Sequence, residues 1–117
     1  MNKKPLIAAG LIIGVFAVWR SKLKNVEIAA RGAWGEARNQ GPKGMQAVIN
    51  VMDNRRKDSR WGNSLAAVAT QPKQFSAFND GDPNKPLLEQ VNDNDPIFVK
   101  ALELAAQAVQ GLSLIHI

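Results

Sequence analysis

The chain has 117 residues, of which 15 are Lys or Arg, 10 are Asp or Glu, one is His, and none is Cys or Tyr. This length suits one small domain, and the 45% hydrophobic content is that of an ordinary globular chain. Without cysteine there is no disulfide framework, thiolate zinc site or cysteine nucleophile, and a single histidine excludes a His-rich metal site. These absences remove most metalloenzymes and thiol enzymes from the candidates, and neither a metal nor a cofactor is predicted.

The net charge of +5 is confined to the start of the chain. Residues 1–24 contain five basic residues and no acidic one, whereas residues 25–117 contain ten of each sign. Nucleic-acid binding requires a basic stripe on the folded domain itself. The charge distribution therefore predicts no nucleic-acid partner.

An apolar run at residues 5–19 lies between a lysine pair and a cationic cluster at residues 20–24. As a helix it would span roughly 22 Å, against a hydrocarbon core of about 30 Å, and flanking Lys and Arg side chains can reach the interface. A basic start with a short apolar run is also typical of a secretory signal peptide. A buried core helix is the alternative, but it would not need cationic flanks. We predict that residues 1–24 direct export, either as a membrane anchor through residues 5–19 or as a cleaved signal peptide.

Three helices are predicted in the next part of the chain. Asn25 can cap a first helix that runs to about Ala33, and Pro42 suits the first turn of a second. Apolar residues at i, i+3, i+4 and i+7 give that second helix a face for the core: Met45, Val48, Ile49 and Met52. The polar run at residues 54–58 ends it. Asn63 can cap a short third helix.

The second half of the chain is less regular. Residues 70–86 are rich in Gln, Asn, Asp, Gly and Pro, which indicates a long loop, and a weak helix is predicted over residues 87–91. Asp95 can cap a last helix that has Pro96 at its first position and ends at about Gly111. No segment alternates as a strand would. The predicted fold class is mainly α, a domain over residues 25–111.

The last six residues, Leu-Ser-Leu-Ile-His-Ile, resemble the translation of a transposon-end adapter used in preparing sequencing libraries. This resemblance predicts that the natural protein continues past about Gly111 and that residues 112–117 are foreign to it. The alternative is an ordinary apolar tail. His116, the only histidine, is given no function under either interpretation.

The first candidate for chemistry is Glu36, in the sequence Trp34-Gly-Glu-Ala-Arg38 at the end of the first predicted helix. A carboxyl group beside apolar surface is harder to ionise, so it can deliver a proton to a leaving oxygen as a general acid. Gly35 would let a sugar chain approach the backbone. Alternatively, Glu36 and Arg38 are surface residues at a helix end. The pentapeptide alone leaves both interpretations open.

The second candidate region is the loop, where polar and aromatic side chains are neighbours: Gln74, Phe75, Ser76, Phe78 and Asn79. Amides can bind sugar hydroxyls, and aromatic rings can bind the apolar faces of sugars. Alternatively, the two phenylalanines fill the core and Gln74 binds the loop backbone. Asn54 and Arg55, at the end of the second helix, either support Glu36 or cap that helix.

These motifs together resemble a known family. The residues that carry the resemblance are 29–48, with Gly-Glu-Ala-Arg at 35–38, then 47–55, 61–65, 72–79 and the Asp-Pro pair at 95–96. Over roughly residues 25–111 the chain resembles the SleB-like cell-wall hydrolase domain. That family contains spore-cortex-lytic enzymes and many phage and bacterial peptidoglycan hydrolases.

The resemblance implies a lysozyme-like, lytic-transglycosylase-like domain that is exported to the cell wall and acts on the glycan strands of peptidoglycan. Glu36 matches the family's catalytic acid, and the bond cut joins N-acetylmuramic acid to N-acetylglucosamine. The implied substrate-binding residues are Arg38, Asn54, Gln74, Phe75, Ser76 and Asn79. The family's Gly-Ala-x-His-Tyr-like stretch beyond the last helix has no counterpart here, so the domain is expected to be incomplete. A non-catalytic peptidoglycan-binding module and a membrane component of a phage lysis cassette remain the alternatives.

One carboxyl group is enough for the implied reaction. Glycosidases that use water place two carboxyl groups about 5 to 9.5 Å apart. A lytic transglycosylase uses one, because the muramic acid's own 6-hydroxyl attacks C1. If water is used instead, the candidates for a second carboxylate are Asp53, Asp58, Asp80 and Asp82.

Overall fold

The computed structural model describes residues 4–72 and 74–109, with side chains from residue 18 onward. Five helices cover most of this part: α1 (Lys4–Ala37), α2 (Gly41–Asp58), α3 (Leu65–Ala69), α4 (Asn84–Gln90) and α5 (Pro96–Ala108). Two short 3₁₀ turns, Arg38–Gln40 and Ser76–Phe78, lie between them. No strand occurs among these residues. The prediction of a mainly α domain is confirmed.

Helix α1 corrects the predicted start at Asn25. The helix is continuous through this position, because residues 20–24 contain no helix breaker and are mostly good helix formers. The Asn25 Nδ2 donates to the Ser21 carbonyl at 3.1 Å, and its Oδ1 accepts from the Ala66 amide at 2.9 Å. Asn25 therefore caps the first turn of α3 from a neighbouring helix instead of starting its own.

The two terminal predictions fall partly outside the described residues. Residues 1–3, the side chains of residues 4–17, Gly111 and the hexapeptide at 112–117 all lie there. The membrane contact predicted through residues 5–19 thus concerns side chains that are mostly not described. Within the described part of the chain, no helix is both long enough and apolar enough to cross a membrane.

Helix starts were predicted best where a proline occupies the first turn. Pro42 lies in the first turn of α2, and Asp95 caps α5 by accepting from the amides of Ile97 and Phe98 at 2.8 and 3.2 Å. The cap predicted for α3 was wrong by one residue. Ser64, in an extended conformation, accepts from the Ala67 amide at 3.1 Å and so begins α3.

Helix α4 starts three residues before the predicted position at 87. The Asp82 carboxylate accepts from the Asn84 amide at 2.8 Å and orders the chain at that point. The predicted loop at 70–86 therefore ends as the first turn of α4, and it also contains the 3₁₀ turn Ser76–Phe78.

The core forms around α1, which packs against α2, α3, α4 and α5. Its buried face is built mostly from alanine, which allows the other helices to approach closely. Helix α2 contributes the predicted stripe, with Met45, Ile49 and Met52 almost fully buried and Val48 partly buried. Helix α5 completes the core with its buried residues Phe98, Ala101 and Ala105.

Arg31 fixes α4 against α1. Its Nη1 donates to the carbonyls of Leu88 and Val91 at the end of α4, and its other nitrogens bind the Glu27 carboxylate at 3.0 to 3.2 Å. The guanidinium also lies 5.1 Å from the centre of the Phe98 ring. Carbonyls at a helix end lack hydrogen-bond donors within the helix. Arg31 supplies donors to these carbonyls and so holds Leu88 against α1.

Candidate active site

Glu36 lies half-buried in the last turn of α1 and binds the loop that follows α3. Its Oε1 accepts from the Ala77 amide at 2.8 Å and from the Ser76 hydroxyl at 3.3 Å. Both donors belong to the 3₁₀ turn Ser76–Phe78. The structure thus joins two candidate regions that lie about 40 residues apart in the sequence.

Gly35 explains how this turn comes so close to α1. A Cβ at this position would lie 2.9 Å from the Ala77 Cβ and 2.9 Å from the Leu88 Cδ2. The prediction that Gly35 leaves room for a sugar chain is therefore wrong, because Ala77 and Leu88 fill that space. The missing side chain instead lets the turn lie on α1, which brings the Ala77 amide to Glu36.

Arg38 closes the end of α1 next to Glu36. Its Nη1 donates to the carbonyls of Gly35 and Trp34 at 3.2 and 3.4 Å, and its Nη2 donates to the Asn84 Oδ1 at 2.9 Å. The guanidinium carbon lies 4.4 Å from the centre of the Trp34 ring. An arginine in this position satisfies the last carbonyls of a helix. Arg38 therefore ties the end of α1 to the start of α4.

The loop residues predicted to bind sugar have different environments. Phe75 is 7% exposed, so its ring belongs to the core, which is the second of the two interpretations given for it, and its assignment to substrate binding is corrected. Ser76 is exposed, and Gln74 and Asn79 are half-buried. The backbone amide of Gln74 donates to the Gln71 carbonyl at 3.1 Å, and that of Asn79 to the Ser76 carbonyl at 2.9 Å. These hydrogen bonds order the loop around Ser76, whose hydroxyl group is the only one of the three side chains with a hydrogen bond to Glu36 among the described residues.

Asn54 and Arg55, the two candidates at the end of α2, have different environments. Asn54 is exposed, and no hydrogen bond among the described residues joins it to Glu36. The Arg55 guanidinium faces the rings of Trp61 and Phe75. Ala77 is not detectable as a site residue from the sequence, because it acts through its backbone N–H and its side chain carries no signal.

Two candidates for a second carboxylate lie on or after α2 and are paired with cations. Asp53 binds Arg56 at 2.8 Å and Lys57 at 3.2 Å, and Asp58 binds Arg60 at 2.8 Å. Burial raises the pKa of Asp53, but the hydrogen bonds and charges of Arg56 and Lys57 outweigh it, so this pKa lies below its usual value. The hydrogen bond from Arg60 likewise lowers the pKa of Asp58.

The other two candidates lie in the turn before α4. Asp80 forms an ion pair with Lys85, which lowers the pKa of the Asp80 carboxyl, and Asp82 caps α4. Neither is hydrogen-bonded to Glu36, whose two donors are Ser76 and Ala77. No cluster of three or more potential metal-ligating His, Cys, Asp or Glu side chains occurs within the described ranges.

Comparisons with known proteins agree with the resemblance seen in the sequence. The profile of the cell wall hydrolase family matches residues 39–115, more than half of the chain. The spore cortex-lytic enzyme of Bacillus subtilis (strain 168) is 33% identical over 73 residues, which cover 59% of this chain and 24% of that protein. No solved structure matches the chain. Asn54 and residues 74–79 lie inside the range matched by the family, whereas Glu36 and Arg38 lie just before it.

Proposed function

Because the chain belongs to the family of SleB-like cell wall hydrolases, we propose that it cleaves the glycan strands of peptidoglycan, with Glu36 as its catalytic acid. The observation that carries this proposal is the fixed position of the Glu36 carboxyl group. Two donors from a separate loop hold its Oε1, and the residue is half-buried at the end of a helix. A carboxyl group held in one orientation suits proton transfer to a bound substrate.

The proposed cut lies between N-acetylmuramic acid and N-acetylglucosamine. Glu36 protonates the glycosidic oxygen, and the bond between that oxygen and C1 breaks. The resulting carboxylate then takes the proton from the 6-hydroxyl of the same muramic acid, whose oxygen attacks C1 and closes a 1,6-anhydro ring. The proton returns to Glu36, and no water is consumed.

The hydrogen bonding of Glu36 supports this single-carboxyl mechanism. Its donors among the described residues both bind Oε1, which leaves Oε2 for the exchange of a proton with the substrate. The four aspartates that could act as a second carboxylate are each bound to a cation or a helix start: Asp53, Asp58, Asp80 and Asp82. Each of the four therefore has a structural partner that accounts for its position.

We also propose a lysozyme-like arrangement of the helices and a set of residues that bind the glycan. A small, mainly helical domain with an acidic residue at a helix end supports a lysozyme-like arrangement. Ser76 is assigned to a sugar hydroxyl because its own hydroxyl group contacts Glu36. Gln74 and Asn79 are assigned to sugar hydroxyls because they belong to the same loop, and Arg38 and Asn54 are assigned to other contacts with the glycan. Phe75 is left out because its ring is buried. Since peptidoglycan lies outside the cytoplasm, we assign export to residues 1–24.

The products test the mechanism. The chain is incubated with purified peptidoglycan, and the released fragments are analysed by mass spectrometry. We expect 1,6-anhydro ends, which are lighter by one water than the products of hydrolysis. Reducing ends would contradict the transglycosylase assignment and keep the glycosidase one. Binding without any released fragment would indicate a peptidoglycan-binding module instead of an enzyme.

Removing the charge of each aspartate tests whether a second carboxylate takes part. We expect Asp53→Asn, Asp80→Asn and Asp82→Asn each to lower the cleavage rate by less than about tenfold, because the mechanism gives none of them a proton to carry. Loss of a general base usually costs about 10² to 10⁴ in rate. A loss of that size in one variant, with an unchanged melting temperature, would identify a second catalytic carboxylate and favour attack by water.

A further inference from the structure

The Arg55 side chain lies between the end of α2 and the loop that binds Glu36. Its guanidinium carbon is 5.3 Å from the centre of the Phe75 ring and 5.7 Å from that of the Trp61 ring. A guanidinium within about 6 Å of an aromatic ring is attracted by the electrons of the ring face. We call Arg55, Trp61 and Phe75 the aromatic clamp.

The charged group of Arg55 interacts with these two rings. Its Nη1 is buried and hydrogen-bonded to no described group, and the nearby Asp53 is paired with Arg56 and Lys57. A buried donor without a hydrogen-bond partner is costly. An arginine in such a place therefore needs a compensating interaction, and the described guanidinium contacts are with the two rings.

We propose that Arg55 is a positioning residue for Glu36, acting through Phe75. Phe75 immediately precedes Ser76 and Ala77, the two residues that donate to the Glu36 Oε1. Holding the buried Phe75 ring therefore fixes the start of the 3₁₀ turn, and with it the distance of 2.8 Å between the Ala77 nitrogen and Glu36. Displacements of about 1 Å at a reacting group can cost about 10²-fold in rate. This inference rests on the proposed catalytic role of Glu36.

The first test measures the Ala77 amide directly and needs no activity. In Arg55→Met, hydrogen exchange of the Ala77 amide, followed by NMR in the full chain, should accelerate at least about tenfold relative to amides inside α1 and α2. Arg60→Met is the matched control, because Arg60 contacts Trp61 at 4.5 Å but lies outside the clamp and is largely exposed. That variant should change Ala77 exchange by less than about twofold. Glu36→Ala, which removes the acceptor, sets the upper limit.

The second test compares the chemical step with substrate binding. Arg55→Met should lower kcat for glycan cleavage by about 10 to 10², and KM should rise by a smaller factor, because the donors on Glu36 move together with the sugar-binding residues of the same loop. Arg55→Lys keeps the charge but loses the planar group that stacks on rings, so it should fall between wild type and Arg55→Met. In a Phe75→Leu background, Arg55→Met should add little, since both changes break one contact.

These outcomes distinguish failure of this inference from failure of the proposed function. Unchanged Ala77 exchange in Arg55→Met would overturn the positioning role. Equal acceleration of all amides, matched by the fall in melting temperature, would also overturn it and leave Arg55 a purely structural residue. Full activity of Glu36→Gln would instead refute the catalytic role of Glu36, whatever the Ala77 amide shows.

Discussion

Replacing Glu36 by Gln should lower glycan cleavage at least about 10²-fold, because the amide keeps the size of the side chain but cannot donate the proton to the glycosidic oxygen. The amide oxygen of the new side chain can still accept from the Ala77 N–H, which lies 2.8 Å from the Glu36 Oε1 in the wild type. The loop should therefore stay in place. Binding to peptidoglycan should survive, and a pull-down with insoluble peptidoglycan measures it beside the cleavage assay.

Glu27 provides the matched control on the same helix. It is exposed and forms an ion pair with Arg31 at 3.0 Å, so Glu27→Gln removes a glutamate charge from α1 without touching the candidate site. Arg31 keeps its hydrogen bonds to the carbonyls of Leu88 and Val91 in this variant, so α4 stays in place and cleavage should stay close to that of the wild type. Full cleavage by Glu36→Gln would refute both the glycosidase and the transglycosylase assignment. Equal losses in both variants would point to a loss of folding, which the melting temperature would reveal.

Gly35→Ala should reduce activity by about tenfold while changing stability only modestly. The added Cβ would lie 2.9 Å from the Ala77 Cβ and from the Leu88 Cδ2. The Leu88 methyl group can rotate away, but the Ala77 Cβ can move only with its backbone, which carries the amide away from Glu36. Overpacking costs about 1 to 3 kcal/mol, and Ala gains about 1 kcal/mol over Gly inside a helix. The cost of overpacking and the gain in helix propensity largely cancel in the free energy of unfolding. The variant should therefore show a clear loss of activity with little change in stability.

Gly32→Ala is the comparison for this prediction. Its Cβ would meet the ends of two side chains, the Met52 Cε at 2.7 Å and the Phe78 Cε2 at 2.8 Å. Methionine is flexible and can rearrange, and Phe78 is met at the far edge of its ring, whereas the Ala77 Cβ is bonded directly to the backbone. Activity should therefore fall less than in Gly35→Ala. Cleavage rates and melting temperatures, measured for both variants, test this difference in activity and stability. Unchanged activity with a raised melting temperature in Gly35→Ala would show that the 3₁₀ turn can shift without disturbing Glu36.

The parts of the fold that were predicted correctly depend on local signals. The stripe of α2 and the Asp95-Pro96 start of α5 are visible in the sequence because neighbouring residues carry the whole pattern. Asn25 was misread because a capping residue type was present without a break in the helix around it. Its side chain caps α3 instead, and that contact with Ala66 spans 41 positions in the sequence.

The candidate site was predictable in its residues and not in its geometry. Glu36 and the loop at 74–79 each stood out through a local motif, yet their contact depends on the packing of α1 against the loop. The interpretation of Gly35 was reversed for the same reason, since only the fold shows that Ala77 and Leu88 fill the space above it. The Ala77 amide carries no side-chain signal at all. Periodicity finds the elements, whereas long-range packing decides which backbone groups reach a functional side chain.

The hydrogen bond between Glu36 and Ala77 also constrains the order in which the chain can fold. It closes a loop of about 40 residues, and such non-local contacts form late because the entropy of closing the loop must first be overcome. During synthesis Glu36 leaves the ribosome 41 residues before Ala77, so α1 and α2 can begin to pack against each other before the donors for Glu36 have emerged. The Glu36 carboxyl group is therefore aligned only after the segment that contains Ala77 has been made and has docked. Correct geometry at Glu36 reports that this long-range docking step is complete.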